Sequence, residues 1–208
     1  MRVAPEGWPF IAIAWAVLAV LAWFQLWIGA VLWLPIAVWV VAFFRDPVRQ
    51  GPRGDELVLA PADGKVVSVI PIDEPAYLRG PSTRISIFMN VFNVHVNRYP
   101  SRGRIGFRAY VPGKFGHAGP EKASTDNEQS SVGLDAPRGK LLIKQIAGSI
   151  ARRIVTDHPE GTEVGQAERM GLIRFGSRVD LFVPAGVTVL VKVGDHTKAA
   201  QTVVAQWK

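Results

Sequence analysis

Residues 171–184 read GLIRFGSRVDLFVP, an alternation of apolar and polar side chains with a Gly176-Ser177 step set into its middle. Alternation of period two is the signature of a strand. Glycine inside such a pattern weakens it, so it marks a bulge or a close backbone approach. The same alternation recurs outward from this stretch. LVLA and KVVSVIPI flank the turn PADG, Pro61 to Gly64, and TRISIFMN (83–90), NVHVNRYP (93–100) and GRIGFRAYVPGKF (103–115) follow, separated by Pro and Gly signals. Residues 45–208 are therefore expected to form a mainly β domain.

Between the strands, PGKFGHAGPEKASTDNEQSS (112–131) is polar and glycine-rich and predicts a long loop. KLLIKQIAGSIARRIVT (140–156) predicts a strand that runs into a short helix with a basic face. Two later segments echo one another: EGTEVGQAERMGLI from Glu160 and VGDHTKAAQTVVA from Val193. Each has a glycine, then polar turn residues, then a return to apolar alternation. Such an internal repeat suits the two halves of a barrel-sandwich, the hammerhead arrangement of biotinyl and lipoyl domains. A lipoyl-carrier function does not follow, since no lysine sits at a hairpin tip in a matching context.

Upstream the composition changes completely. Trp8 to Phe44 is 37 residues without a charge, with Gln25 as its only strongly polar side chain. One membrane-spanning helix needs ~20 apolar residues, so the stretch exceeds one span and falls just short of two. Six of the seven tryptophans, at 8, 15, 23, 27, 33 and 39, lie here, and tryptophan favours the headgroup level of a bilayer. The apolar run is too long for a cleavable signal peptide, and no small-residue cleavage site follows it. Residues 1–44 are expected to form a shallow membrane hairpin turning around Gln25 to Gly29. A single tilted span with an interfacial helix after Pro35 is the alternative. Arg2 before the segment and Arg45, Arg49 and Arg53 after it place both flanks on the cytoplasmic face of the cell's inner membrane.

The net charge of +7 resides entirely beyond residue 44. A basic domain tethered at a membrane suits anionic headgroups, each Lys or Arg near such a surface contributing about 1 kcal/mol. Nucleic acid is excluded as a partner by the membrane segment and by the lack of any binding motif. Cysteine is absent, which removes disulfides, thiolate chemistry and Cys-built metal sites.

Three residues could carry chemistry. Ser177 follows glycine in a strand, where a solvent-facing serine at a bulge is the plain explanation. His95 alternates with Val94 and Val96, so its side chain is expected on the opposite face from theirs. Asp63 in PADG is what a tight Asp-Gly turn wants for backbone reasons alone. Together they form another possibility, because serine needs a base to take its proton and a carboxylate to orient that base. His117, His158 and His196 and other aspartates could fill the same roles, and spacing does not choose among them.

The segments FFRDPVR, APADGKVVSV, FMNVFNVHVNRYP, KQIAGSIARRIV and GLIRFGSRVDLF, in this order from Phe43 to the C-terminus, resemble the short, membrane-associated form of the phosphatidylserine decarboxylase proenzyme family. The resemblance implies a self-processing, pyruvoyl-dependent carboxy-lyase. Ser177 would attack the carbonyl before it and elimination would split the Gly176-Ser177 bond. A β chain, 1–176, and an α chain, 177–208, would remain together as a heterodimer that further oligomerisation could extend. Ser177 would become a covalent pyruvoyl group that condenses with the headgroup amine and takes up the electron pair released with CO2, so that no external cofactor or metal is needed. Glycine at 176 would let the peptide adopt a strained conformation open to attack. The resemblance further implies His95 as base and proton donor and Asp63 as its orienter, with Arg45, Arg49 and Arg98 as candidates for the lipid phosphate. The product would be phosphatidylethanolamine. Alternatives are an ether phosphoserine lipid of the archaetidylserine type as substrate, or a non-enzymatic, membrane-tethered β-sandwich adaptor. Two departures stand out: longer members carry His-x-x-His where this chain has His95 and Arg98, and Leu-Gly-Ser-Thr where it has Phe175-Gly176-Ser177-Arg178.

Overall fold

The structure is a computed structural model that describes residues 2–113, 127–148, 153–174 and 177–208. The chain divides into two compact units, Met1–Val48 and Arg49–Lys208.

In the first unit a short strand β1 (Arg2–Val3) leads into helix α1 (Trp8–Trp23), which is followed by α2 (Trp27–Phe43) and strand β2 (Arg45–Asp46). The turn occupies Phe24 to Leu26, with Gln25 in the left-handed region at φ 57°. It closes earlier than the predicted Gln25 to Gly29, because Trp27 already begins α2. Pro35 lies inside α2 and does not end it. Apolar helices tolerate proline where neighbouring groups take up the freed carbonyl. The helices pack antiparallel, tied by the Trp33 indole N–H to the Ala14 carbonyl at 2.9 Å. At the base, β1 pairs with β2, Ala4 N–H bonds the Phe44 carbonyl at 2.8 Å, and Phe10 stacks on Phe44. Both ends of the hairpin are thereby held on one side. Pro5–Trp23 is long and apolar enough to cross a membrane, and Trp27–Phe43 is shorter. Large apolar side chains such as Trp23 and Ile28 project outward from both helices.

The second unit is built of antiparallel strands: β3 (Leu57–Leu59), β4 (Gly64–Glu74), β5 (Gly80–Met89), β6 (Val96–Arg98), β7 (Gly103–Val111), β8 (Gln129–Ala136), β9 (Gly139–Ala147), β10 (Ile154–Thr156), β11 (Glu163–Val164), β12 (Arg169–Ile173), β13 (Ser177–Pro184), β14 (Thr188–Val189), β15 (His196–Thr197) and β16 (Val203–Gln206). Eight of them form a curled sheet in the order β11-β7-β8-β9-β13-β5-β4-β15. Two three-stranded sheets, β10-β12-β6 and β14-β16-β3, complete the barrel-sandwich. Val179, Leu181 and Val183 of β13 face the main core with Ile85, Ile87, Met89, Ile143 and Ala147. On the other face, Phe182 packs with Tyr77 and Leu142.

The repeat read in the sequence is a pseudo-twofold relation. Glu163–Val164 pairs with the start of β7 as His196–Thr197 pairs with the start of β4. The bulge between Val66 and Ser68 answers to one between Ile105 and Phe107. Ala167 and Ala200, at φ 69° and 61°, occupy matching turns. Reciprocal bonds, Leu59 N–H to Pro100 O and Arg98 N–H to Pro61 O, both 2.9 Å, join the halves.

Three expectations are corrected. Residues 154–156 form a strand paired with Gly171–Ile173 rather than the end of a helix, as the β-branched Ile154, Val155 and Thr156 favour; residues 149–152 lie outside the described residues. Of the expected loop, Gln129 to Ser131 belong to β8, and 114–126 lie outside the described residues. His95 is not an alternating strand residue: Val94, His95 and Val96 are all buried. Asn90 and Asn93 form a turn before them, with Phe92 N–H on Asn90 Oδ1 and Asn90 N–H on Asn93 Oδ1, both 2.9 Å, and this asparagine chemistry breaks the strand.

Candidate functional site

Ser177 opens β13 at the centre of the large sheet, opposite Met89 on β5 and Ala147 on β9. Its side chain is fully buried, and its Oγ has no hydrogen-bond partner among the described residues. A buried hydroxyl without a partner forgoes about 1–3 kcal/mol, a cost that calls for an explanation such as a chemical role. Gly176 and Phe175 lie outside the described residues.

His95 is fully buried at the entry to β6. Its carbonyl accepts the Ile173 N–H at 3.4 Å, which fastens it to the end of β12, the strand that precedes Ser177 in the chain. Its Nδ1 lies 3.1 Å from the Asn93 carbonyl. A carbonyl only accepts, so that contact requires the proton on Nδ1 and leaves the lone pair on Nε2. This is the tautomer a general base needs.

The Asn93 carbonyl thus helps to orient His95, the role expected of Asp63. Asp63 has other work: its carboxylate takes Arg49 Nη2 at 2.7 and 2.8 Å and the Ala199 N–H at 2.8 Å. It ties the linker to the 197–200 turn. Arg49, expected among the candidates for the lipid phosphate, has a side chain only 8% exposed and paired with Asp63. Arg98 donates to the Ala167 carbonyl at 3.1 Å and Arg45 to the Ala42 carbonyl.

The other histidines separate from the site. His158 accepts from the Tyr99 hydroxyl at Nδ1, 3.3 Å, and faces Glu168 through Nε2 at 3.4 Å. Burial, above all, pushes the Tyr99 phenol above its usual range, so it remains the donor. His196 is exposed on the edge strand β15. His117 lies outside the described residues.

A buried polar chain beside Ser177 was not anticipated. Gln145 and Asn97 are both fully buried, and Gln145 Nε2 donates to Asn97 Oδ1 at 2.9 Å. Thr156 Oγ1 donates to Gln145 Oε1 at 2.9 Å, and Ser130 Oγ lies 2.9 Å from Thr156 Oγ1. The signal for it was present: Gln145 occupies an inward position in step with Leu141, Ile143 and Ala147. On the opposite face, Arg178 and Asp180 form a buried pair, Nη2 to Oδ2 at 3.0 Å. A groove lined by Arg102, Arg104, Asp135 and Glu163 lies at the far ends of β7 and β8 from Ser177.

The described residues thus hold a buried serine at a strand head and a buried histidine fastened to the end of the strand that precedes it. Residues 36–205 match the family model described as phosphatidylserine decarboxylase.

Proposed function

The chain belongs to the phosphatidylserine decarboxylase family, and on that premise we propose that it matures by self-cleavage at Gly176-Ser177 and converts phosphatidylserine to phosphatidylethanolamine and CO2. The observation that carries this reading is the Ser177 Oγ, buried, without a partner among the described residues, and placed at the head of the central strand.

In processing, Ser177 Oγ attacks the preceding carbonyl carbon while His95 Nε2 takes its proton. The amide C–N bond breaks, its nitrogen is protonated, and the acyl group now sits on Oγ as an ester. Loss of the Ser177 Cα proton then expels the ester oxygen with residues 1–176 as a carboxylate, and water replaces the nitrogen of residue 177, which leaves as ammonia. The residues present suit the resulting group. Ser177 lies in a dry, core-facing position bordered by Met89 and Ala147, and the β5 and β9 ladders hold its strand rigidly on both sides. Once formed, the pyruvoyl carbonyl supplies an electron sink for the pair left when CO2 departs. His95, which holds the Ser177 proton after the attack, is the residue we assign to return a proton to the substrate carbon.

The hairpin supports a location at the inner membrane. Pairing of β1 with β2 keeps both flanks on one side, and the arginines that follow favour the cytoplasm for that side.

Intact mass of the purified protein tests the reading. Two chains are expected, the smaller beginning at position 177, lacking a free amine and reacting with hydroxylamine. A single polypeptide of 22.7 kDa in active wild-type material would overturn it. Ser177→Ala and His95→Ala should each remain one chain.

A further inference from the structure

We propose that Asn97 supplies a hydrogen-bond donor to the charge that develops at Ser177 during self-cleavage, and that a one-way chain of hydrogen bonds starting at Ser130 holds its amide in the orientation this requires. The proposal rests on the reading of Ser177 as the processing serine.

The position of Asn97 comes from its two partners. Its Nδ2 lies 3.6 Å from Met89 Sδ, and its Oδ1 accepts from Gln145 Nε2 at 2.9 Å. Met89 is the register partner of Ser177 on β5, and Gln145 is the register partner of Val179 on β9. Directly paired residues share a face of the sheet, and so do residues two apart on one strand. Met89, Gln145, Ser177 and Val179 therefore all look inward together. The Asn97 amide bridges Met89 and Gln145 over the head of β13, on the face that carries Ser177 Oγ.

The orientation of that amide follows from the end of the chain. A thioether has no proton and can only accept, so the Asn97 atom facing Met89 Sδ must be nitrogen. Oδ1 then faces Gln145 and must receive its N–H. Gln145 Oε1 in turn takes the Thr156 hydroxyl, and Thr156 Oγ1 takes the Ser130 hydroxyl. Every link points the same way, toward Ser177. The reversed order would set the Asn97 carbonyl against sulfur, lone pair to lone pair.

The chain ends in surplus donor capacity. An amide nitrogen carries two N–H groups; one is spent on sulfur, a weak acceptor, and the other has no acceptor among the described residues. Asn97 is fully buried, so water does not readily make up the difference. On the same inward face, where Met89 is the register partner of Ser177, Ser177 Oγ is likewise buried and without a partner among the described residues. When Oγ attacks the preceding carbonyl, the π pair moves onto the carbonyl oxygen, and an oriented N–H lowers the energy of that oxyanion. Removing one such donor from an enzyme costs about 100- to 1000-fold in rate.

The test is cleavage of the full chain followed by intact mass, in wild type, Asn97→Asp and Thr156→Val, with melting temperature measured alongside. Asn97→Asp keeps the shape, replaces the donor with an acceptor, and should slow cleavage at least ~100-fold. Hydroxylamine, which cuts an ester but not a peptide, should not restore it, because the step impaired is formation of the ester. Thr156→Val removes the link that fixes Gln145 and should slow cleavage about tenfold even at temperatures well below its lowered melting temperature. Asn97→Asp cleaving at the wild-type rate, cleavage restored by hydroxylamine, or Thr156→Val at the wild-type rate would each overturn the proposal. Thr156→Val decides the matter if Asn97→Asp fails to fold. A wild-type chain that stays whole would instead overturn the reading of Ser177 itself.

Discussion

Replacing Arg49 with methionine should destabilise the β unit through Asp63. The Arg49 and Asp63 side chains are 8% and 12% exposed, and their nitrogen and oxygen atoms meet at 2.7 Å. With Arg49 gone, the carboxylate keeps only the Ala199 N–H. Breaking a buried ion pair on one side costs about 3–5 kcal/mol, and slight solvent access here brings that to about 2–4 kcal/mol. For a unit of this size that is a fall in melting temperature of about 5–15 °C. The assay is a double-mutant cycle of Arg49→Met and Asp63→Asn in a Ser177→Ala background, which keeps every sample one chain. Asparagine retains an acceptor for Ala199, so the double variant should be more stable than the sum of the singles predicts by about 1–3 kcal/mol. The same two substitutions, with Ser177 intact, should slow cleavage to similar extents and without adding. Additive stabilities would refute the pairing argument. Blocked cleavage in Asp63→Asn beside normal cleavage in Arg49→Met would show that Asp63 serves His95 directly.

Gly64→Ala should lower stability by about 2–4 kcal/mol, read by urea unfolding, because at φ 158° its new Cβ would lie 2.2 Å from the Phe88 carbonyl oxygen, a backbone atom that cannot step aside. Burial first, and then the 2.6 Å bond to Asp135, raise the Tyr77 phenol above its ordinary value. The unfolded chain then loses this proton first. Stability should be complete below about pH 10 and decline as pH rises beyond it, and Tyr77→Phe should flatten that decline in urea midpoints taken across the window.

Much of the fold was legible because its signals are local. Alternation located β4, β5, β7, β9 and β13, and the uncharged, tryptophan-rich run located the hairpin. Even the repeat could be read, since glycine-led turns at Glu160 and Val193 recur whatever they pack against. What was not legible depends on partners distant in sequence. The family resemblance gives Asp63 a role beside His95, but its ion pair was not legible: its arginine arrives from the linker, and nothing in the spacing of the two announces that they meet. His95 reads as an alternating strand residue from its valine neighbours alone, whereas Asn90 and Asn93 form a turn just before it. Gln145 was a visible anomaly, an amide in an inward row of apolar residues, but its meaning required Asn97 and Thr156 from two other strands.

The pseudo-symmetry bears on whether a chain cut at 176/177, as proposed, would hold together. In the relation that carries β4 onto β7, β5 answers to β8 and β13 to β9, so the pairing of Met89 with Ser177 answers to that of Ala136 with Gly139. In one half those two positions are joined by a tight hairpin through Pro137 and Arg138. In the other they are not joined: β5 continues into the His95 turn, and β13 is entered from β12. Among the described residues, a break before Ser177 therefore removes no ladder bond and no hairpin. The α chain would keep β13 between β5 and β9, β15 on β4 and β16 on β3. Val179, Leu181, Val183 and Val204 are fully buried, and each such side chain contributes about 1.5–3 kcal/mol. The cleaved chains should thus co-elute in detergent without denaturant at any dilution reached in gel filtration. Loss of the small chain on simple dilution would show that β13 is held less firmly than its burial implies.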